Sequence, residues 1–258
     1  MVRGIEKFKE YFSGYADNYI IIGGTACDIL EENSGQQPRA TKDIDIILIV
    51  EALTTSFVKQ FWKFIKAGQY ETRQRGNGKH EYFRFLKPKT TEFPFQIEIF
   101  ARKPDVLEIV DDTRLTPIPV DEDLSSLSAI LMNENYYHFT LEHSIIEDNI
   151  RLANIESLIV LKAKAFIDLS DRKTKGENID DKNIRKHKND IFRLATMVAK
   201  MDRFILPFDI QSDMNIFSQM VSQSLPDTAF FKSIGLTVKS EEVFDLLCNA
   251  FQVNQNKQ

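Results

Sequence analysis

Apolar positions along this chain follow two rhythms. Up to about residue 153 they gather in short runs broken by glycine, proline and asparagine. From Asn154 onward they recur every three or four residues. The first rhythm is that of buried strands with interspersed helices, the second that of packed helices. Residues 2–16 are predicted to be a helix with Ile5, Phe8, Tyr11 and Phe12 on one side, and 19–22 a short buried strand. Gly23-Gly24 then turns into a helix capped by Thr25 that runs to about Glu32. After a polar loop at 33–42, residues 43–50 read as a strand apolar on both faces and therefore central. An amphipathic helix is expected over 53–67, carrying Phe57, Phe61, Phe64 and Ile65 and ended by Gly68. Strand-like segments at 69–74 and 80–87 flank Gly76-Asn77-Gly78, a strong hairpin signal. A further strand, 95–101, follows Pro94, and its alternation places Gln96, Glu98 and Phe100 on one face.

Residues 105–142 show no clear period. Pro117 and Pro119 suggest an extended edge, and 136–141 is a candidate strand. Beyond it the pattern predicts helices at 155–170 and 183–200, separated by a polar loop at 173–182, and shorter ones at 212–223, 227–233 and 240–252. The expected fold class is α+β: a mixed sheet with flanking helices over 1–153, followed by a helical domain over 154–258.

The chemistry concentrates at two places in the sheet half. Gly23-Gly24-Thr25 follows the apolar run Tyr19-Ile20-Ile21-Ile22, and Asp43-Ile44-Asp45 opens another, Ile46-Ile47-Leu48-Ile49-Val50. Carboxylates at i and i+2 of a strand point to the same face. Two like charges at the mouth of a buried strand are costly unless a cation neutralises them. Magnesium, bound through carboxylate oxygens and substrate phosphates, is the natural cation. A glycine turn into a helix lets peptide N–H groups approach phosphate oxygens. Glu98 is an isolated carboxylate in the apolar run Phe95-Gln96-Ile97-Glu98-Ile99-Phe100, which makes it the best third acid. Lys42 and Arg39 stand just before Asp43, either within reach of phosphates or on the loop surface.

The formal net charge is −5, which argues against a protein that coats nucleic acid. The distribution is uneven: residues 162–203 hold twelve Lys or Arg against seven Asp or Glu. That half could hold polyphosphate or an RNA backbone, or could simply be a solvated helical surface. No apolar stretch is long enough for a membrane span. The N-terminal residues lack the apolar core of an export signal. Cys27 and Cys248 are isolated in sequence, which fits a reducing cytoplasm. No Gly-x-x-x-x-Gly-Lys is present, which excludes a P-loop ATPase. His80 and His187 adjoin no nucleophile pattern.

Gly23-Gly24-Thr25, Thr41-Lys42-Asp43-Ile44-Asp45 and Glu98 together resemble the DNA polymerase β-like nucleotidyltransferase superfamily. That superfamily joins a Gly-Gly turn, a paired-aspartate strand and a third carboxylate on a neighbouring strand. Lys162-Ala163-Lys164-Ala165, Arg172 and Lys186-His187-Lys188-Asn189-Asp190 resemble, more narrowly, the AbiEii-type toxin nucleotidyltransferases. The resemblance covers roughly residues 19–195, with a polar insertion between Arg172 and Asp190.

It implies Asp43, Asp45 and Glu98 as catalytic metal ligands. Gly23, Gly24, Thr25, Lys42, Lys162 and Asp190 would hold the nucleotide. The implied ion is Mg²⁺ or Mn²⁺ and the substrate a nucleoside triphosphate. The implied acceptor is RNA, such as a tRNA 3′ end, and the implied partner an antitoxin protein, with no membrane involved. Two alternatives stand beside it: a protein or antibiotic acceptor for the same transfer, and a non-catalytic binding module on the same fold. For Lys162, inside an apolar helix, a phosphate and a core-edge salt bridge are both open. For Asp190 a surface pair with Lys186 is the alternative.

Overall fold

The computed structural model describes residues 2–72, 82–100, 130 and 133–253. The Gly76-Asn77-Gly78 turn, His80, Pro117 and Pro119 lie outside them. The chain divides into two compact units that interrupt each other in sequence. One comprises Met1–Ile29, Pro38–Asp121 and Leu141–Asn154; the other Leu30–Gln37, Glu122–Thr140 and Ile155–Gln258.

The first unit is built on a sheet that, among the described residues, has seven strands. In chain order these are β1 (Tyr19–Ile22), β2 (Asp43–Leu48), β3 (Glu71–Thr72), β4 (Tyr82–Leu86), β5 (Gln96–Phe100), β6 (Ser144–Glu147) and β7 (Ile150–Ala153). Their spatial order is β3-β4-β5-β2-β1-β7-β6. β2 runs parallel to β5 and β1 parallel to β7, while the other neighbours are antiparallel. The sheet is thus mixed, as expected for an α+β class. β1 and β2 are central, and every residue of β1 is buried, which is why both read as apolar on two faces.

Helices α1 (Ile5–Phe12) and α3 (Thr55–Gly68) pack aromatic side chains on one face of this sheet. Ile5, Phe8 and Phe12 line α1 at helical spacing. The Phe8 ring meets Tyr19 of β1 edge-on at 5.3 Å and Phe64 of α3 at 6.0 Å. Phe61 meets Phe85 of β4 at 5.4 Å. Thr54 caps α3, its hydroxyl accepting from Phe57 N–H at 3.2 Å. Gly68 is the last residue of α3, and Gln69 behind it takes the left-handed conformation instead. Gly68 is required for space: a Cβ there would meet the Tyr70 ring at 2.5 Å.

Helix α2 (Gly23–Asn33) follows β1 with no intervening residue. In the second unit α4 (Glu134–Glu142) lies mostly in the segment before residue 141, and α5 (Ile155–Thr174), α6 (Asp181–Ala195), α7 (Phe208–Val221), α8 (Thr228–Ser233) and α9 (Ser240–Ala250) follow. α5 packs along α6 and α7, and Phe166 meets Phe217 edge-on at 5.4 Å. No helix among the described residues is long and apolar enough to cross a membrane.

The structure departs from the sequence reading at two places. Residues 136–141 are helical, not extended. Asn133 Oδ1 accepts from the N–H groups of Asn135 (2.8 Å) and Tyr136 (3.3 Å), a side-chain cap that starts α4 despite its aromatic run. The hairpin β6–β7 had no counterpart in the sequence reading. Its two-residue turn, Asp148-Asn149, has both φ angles positive (47° and 63°), a type I′ geometry in a dipeptide without glycine.

The aromatic layer yields a stability prediction. Phe64 is fully buried, with the rings of Phe93, Tyr11 and Phe12 at 5.0, 5.1 and 5.2 Å. Phe64→Ala should lower the unfolding free energy in urea by about 3–5 kcal/mol. Phe95→Ala, at an exposed ring, should change it by less than about 1 kcal/mol. Equal losses would contradict this account of the core.

Candidate active site

The register of β2 decides which side chains share a surface. Asp45 pairs with Glu98 of β5, and Glu98 pairs with Arg84 of β4. Directly paired residues lie on one face, as do residues two apart on a strand. Asp43, Asp45, Gln96, Glu98 and Arg84 therefore share a face, and Phe85 and Tyr19 stand on the other, under α1 and α3. Glu98 is 4% exposed, while Asp43 and Asp45 are half-buried. The structure brings these three sequence-predicted carboxylates to neighbouring positions on one surface.

The Gly-Gly turn sits against the same surface. Ile22 pairs with Asp45, so the residue after it crosses the aspartate. Gly23 has φ of 68°, and a Cβ there would lie 2.0 Å from Asp45 Oδ2. Both the conformation and the space demand glycine. A Cβ on Gly24 would meet Thr41 Oγ1 at 2.8 Å. The fully buried Thr25 donates its hydroxyl hydrogen to the Asp43 carbonyl at 2.5 Å. The expected capping role of Thr25 is thus replaced by a tie to the acidic strand. One turn on, the buried Asp28 carboxylate accepts from the N–H groups of Arg39 (3.3 Å) and Thr41 (2.5 Å). α2 therefore fixes the loop that delivers Asp43. Lys42 and Arg39 in that loop are exposed, and the Lys42 carbonyl accepts from Phe95 N–H at 2.9 Å.

Glu98 carries the strongest electrostatic signal. Its carboxyl is pushed up to about 8, first by burial and next by Asp45, with Arg84 opposing and Asp43 adding to the rise. Arg84 Nε stands 2.8 Å from Glu98 Oε1, and Gln96 Nε2 donates to the same oxygen. Burial and the two neighbouring carboxylates thus outweigh the Arg84 guanidinium in their effect on Glu98.

The donor set tests whether a metal fits. All the candidate ligands are carboxylate oxygens, the preference of magnesium and manganese. Among the described residues, no group of three or more His, Cys, Asp or Glu side chains is spaced to hold a metal ion. Glu98 is engaged by Arg84 and Gln96. Asp43 and Asp45 are the pair whose donors would suit a hard divalent ion, since magnesium commonly takes one or two protein carboxylates and completes its shell elsewhere.

Lys162 and Asp190 belong to the second unit. Lys162 Nζ donates to Asp190 Oδ2 at 2.7 Å, and both side chains are buried. Two residues singled out separately are thus one ion pair between α5 and α6. The surface pair of Asp190 with Lys186 is not what forms. Lys164, two positions on, reaches Asp213 at 2.9 Å, and Asp213 also accepts from Tyr136 Oη at 2.8 Å. Arg172 pairs with Glu177 at 2.8 Å. A second buried pair joins Arg193 Nε to Glu31 Oε1 at 2.9 Å, and the same guanidinium donates to the Gln37 carbonyl at 2.6 Å.

Sequence reasoning missed Arg84, Asp28 and the Arg193–Glu31 pair. Arg84 interrupts Tyr82-Phe83-Arg84-Phe85-Leu86 as Glu98 interrupts β5, and that interruption was the available signal; Asp28 and Glu31 stand among the other polar residues of α2 and gave none. The chain matches no protein-family model, no curated protein and no solved structure.

Two predictions follow from these charges. Unfolded, Glu98 has the ordinary carboxyl value near 4.5; folded, it keeps its proton to about pH 8. The folded state then binds more protons between those values. The contribution is complete below about pH 4.5 and is lost as pH rises toward 8. In chelator, Glu98→Gln should therefore gain Tm over the wild type progressively between pH 5 and pH 9. A pH-independent difference would contradict the assignment. In the second unit, Lys162→Met should cost about 3–5 kcal/mol by removing the charged donor from the buried Asp190 carboxylate, and Lys162→Met with Asp190→Leu should recover a large part of it. Denaturant titration of the two variants decides; additive losses would mean that the residues act separately.

Proposed function

We propose that the chain is a metal-dependent nucleotidyltransferase of the AbiEii type, moving a nucleoside monophosphate from a triphosphate to an acceptor hydroxyl with release of pyrophosphate. The observation that carries this reading is the Asp45–Glu98 pair on adjacent parallel strands, with the Cα of Gly23 against the Asp45 carboxylate. The turn sequence and both acids are the residues through which the chain resembles that superfamily.

In this reading Asp43 and Asp45 would hold Mg²⁺ or Mn²⁺. The ion, when bound, neutralises the triphosphate and lowers the pKa of the attacking hydroxyl. Glu98 is the third acid, kept in place by Arg84 and Gln96. Gly23, Gly24 and Thr25 present the first turn of α2, where peptide N–H groups and the absence of Cβ atoms admit phosphate oxygens. Asp28 and Thr25 hold the Asp43 loop rigid, so that positioning rather than covalent chemistry supplies the acceleration. Lys42 is an exposed cation beside the acids and can reach an incoming phosphate. Lys162 and Asp190 enter through the resemblance, and nucleotide contact by Lys162 would draw it from Asp190. An RNA 3′ end is the proposed acceptor, an antitoxin the proposed partner and the cytoplasm the proposed location.

The test is transfer of label from α-labelled triphosphates to RNA, protein or aminoglycoside acceptors, with Mg²⁺ or Mn²⁺. Asp43→Asn and Asp45→Asn should each reduce transfer by more than about a hundredfold, beyond the usual effect of altering groups one shell further out. Their Tm should be unchanged or raised, because one of two close like charges is gone. Wild-type turnover in either variant would sink the metal assignment. Nucleotide binding without transfer to any acceptor would favour a binding module.

A further inference from the structure

Among the described residues, β6 stands at one end of the sheet, paired only with β7. Asn154 N–H donates to the His143 carbonyl at 2.9 Å, and the turn closes on the Glu147–Ile150 pair. With that alternation the peptide groups of Ile145 and Glu147 point toward β7, and those of Ser144 and Ile146 point out of the sheet. Ile145 and Ile146 lie on opposite faces and are 37% and 54% exposed. Open peptide groups flanked on both faces by isoleucine are the arrangement that edge strands usually avoid with lysine, proline or inward charge.

We propose that β6 is a pairing edge whose occupant is β6 of a second copy of this chain, joined antiparallel across a two-fold axis normal to the sheet. Such an axis keeps each face on its own side, so residues that meet must point the same way. The outward peptide groups of Ser144 and Ile146 must also face each other. Both conditions are met by the register centred on Ile145. Ile145 then lies beside Ile145 of the second copy, and Ser144 exchanges peptide hydrogen bonds with Ile146 of the second copy. On the Ile145 face, His143 meets Glu147 of the second copy, and by symmetry Glu147 meets its His143.

The segment His143–Ile145–Glu147 is its own complement when reversed: imidazole against carboxylate at both ends, isoleucine against isoleucine between. That self-complementarity singles out a second copy over an unrelated strand. Two short strands make a contact at the small end of specific interfaces, so association is concentration-dependent. The axis also leaves both acidic faces on the same side of one continuous sheet.

Sedimentation equilibrium of the full chain tests this over about 1–300 µM, the range in which small interfaces associate. The wild-type mass should rise from 29.8 kDa toward twice that value. Ile145→Lys, which sets like charges opposite each other at the axis, should weaken association at least about tenfold. Ile146→Pro removes an outward N–H while sparing the ladder to β7, and should do the same. Glu147→Lys should dissociate the pair, and His143→Glu added to it should restore association. Tm and circular dichroism identify any variant that fails to fold, and the others then decide. A wild-type mass that stays at one chain throughout, or a dimer indifferent to Ile145→Lys and Ile146→Pro, overturns the proposal.

Discussion

Asp45 and Glu98 are held side by side on adjacent parallel strands, and the first unit is arranged around that confinement. Left alone, two carboxylates at that spacing would seek water and drift apart. They stay because the opposite face of the sheet is sealed by α1 and α3, and because Gly23 leaves Asp45 room to lie against the backbone. Thr25 and Asp28 then fasten the incoming loop from the same helix. Arg84 supplies one positive charge, which opposes the rise that burial and Asp45 impose on the Glu98 carboxyl. Burial and like charge thus act together on Glu98, while Arg84 and Gln96 oppose them.

The second unit handles charge differently. Lys162–Asp190 and Arg193–Glu31 are buried pairs of matched sign, the second with the Gln37 carbonyl as a further acceptor. Such pairs add little net stability over apolar packing, but are severe when broken. Lys162–Asp190 fixes the rotation of α5 against α6, and Arg193–Glu31 ties α6 to the end of α2. In the first unit, by contrast, the Arg84–Glu98 pair stands beside two further carboxylates, Asp43 and Asp45.

The sequence exposed the acidic cluster because each member breaks an apolar run. Asp43-Ile44-Asp45 and the lone Glu98 are polar residues where burial makes them costly, and their period of two assigned them to one face before any register was known. The partners were less visible. Arg84 becomes meaningful only through the β4–β5 register, and the Asp28 bonds to Arg39 and Thr41 through the path of a loop. Local propensity misled at Tyr136 and Tyr137, where an asparagine cap and burial overrode aromatic residues that favour strands. The β6–β7 hairpin stayed hidden because Asp148-Asn149 reaches left-handed angles without the glycine that normally announces them. Lys162 looked like an anion seeker and is one, but its anion came from the next helix, 28 positions along the chain.

The position of β7 bears on how the chain is made. β1, the most apolar strand of the sheet, gains β2 soon after it leaves the ribosome, but its other neighbour is encoded about a hundred residues later. Until that segment is synthesised, the Tyr19-Ile20-Ile21-Ile22 strand has one bare side, an invitation to pair with another nascent chain. The β1–β7 pairing therefore waits on a distant segment, a contact of high sequence separation that closes slowly.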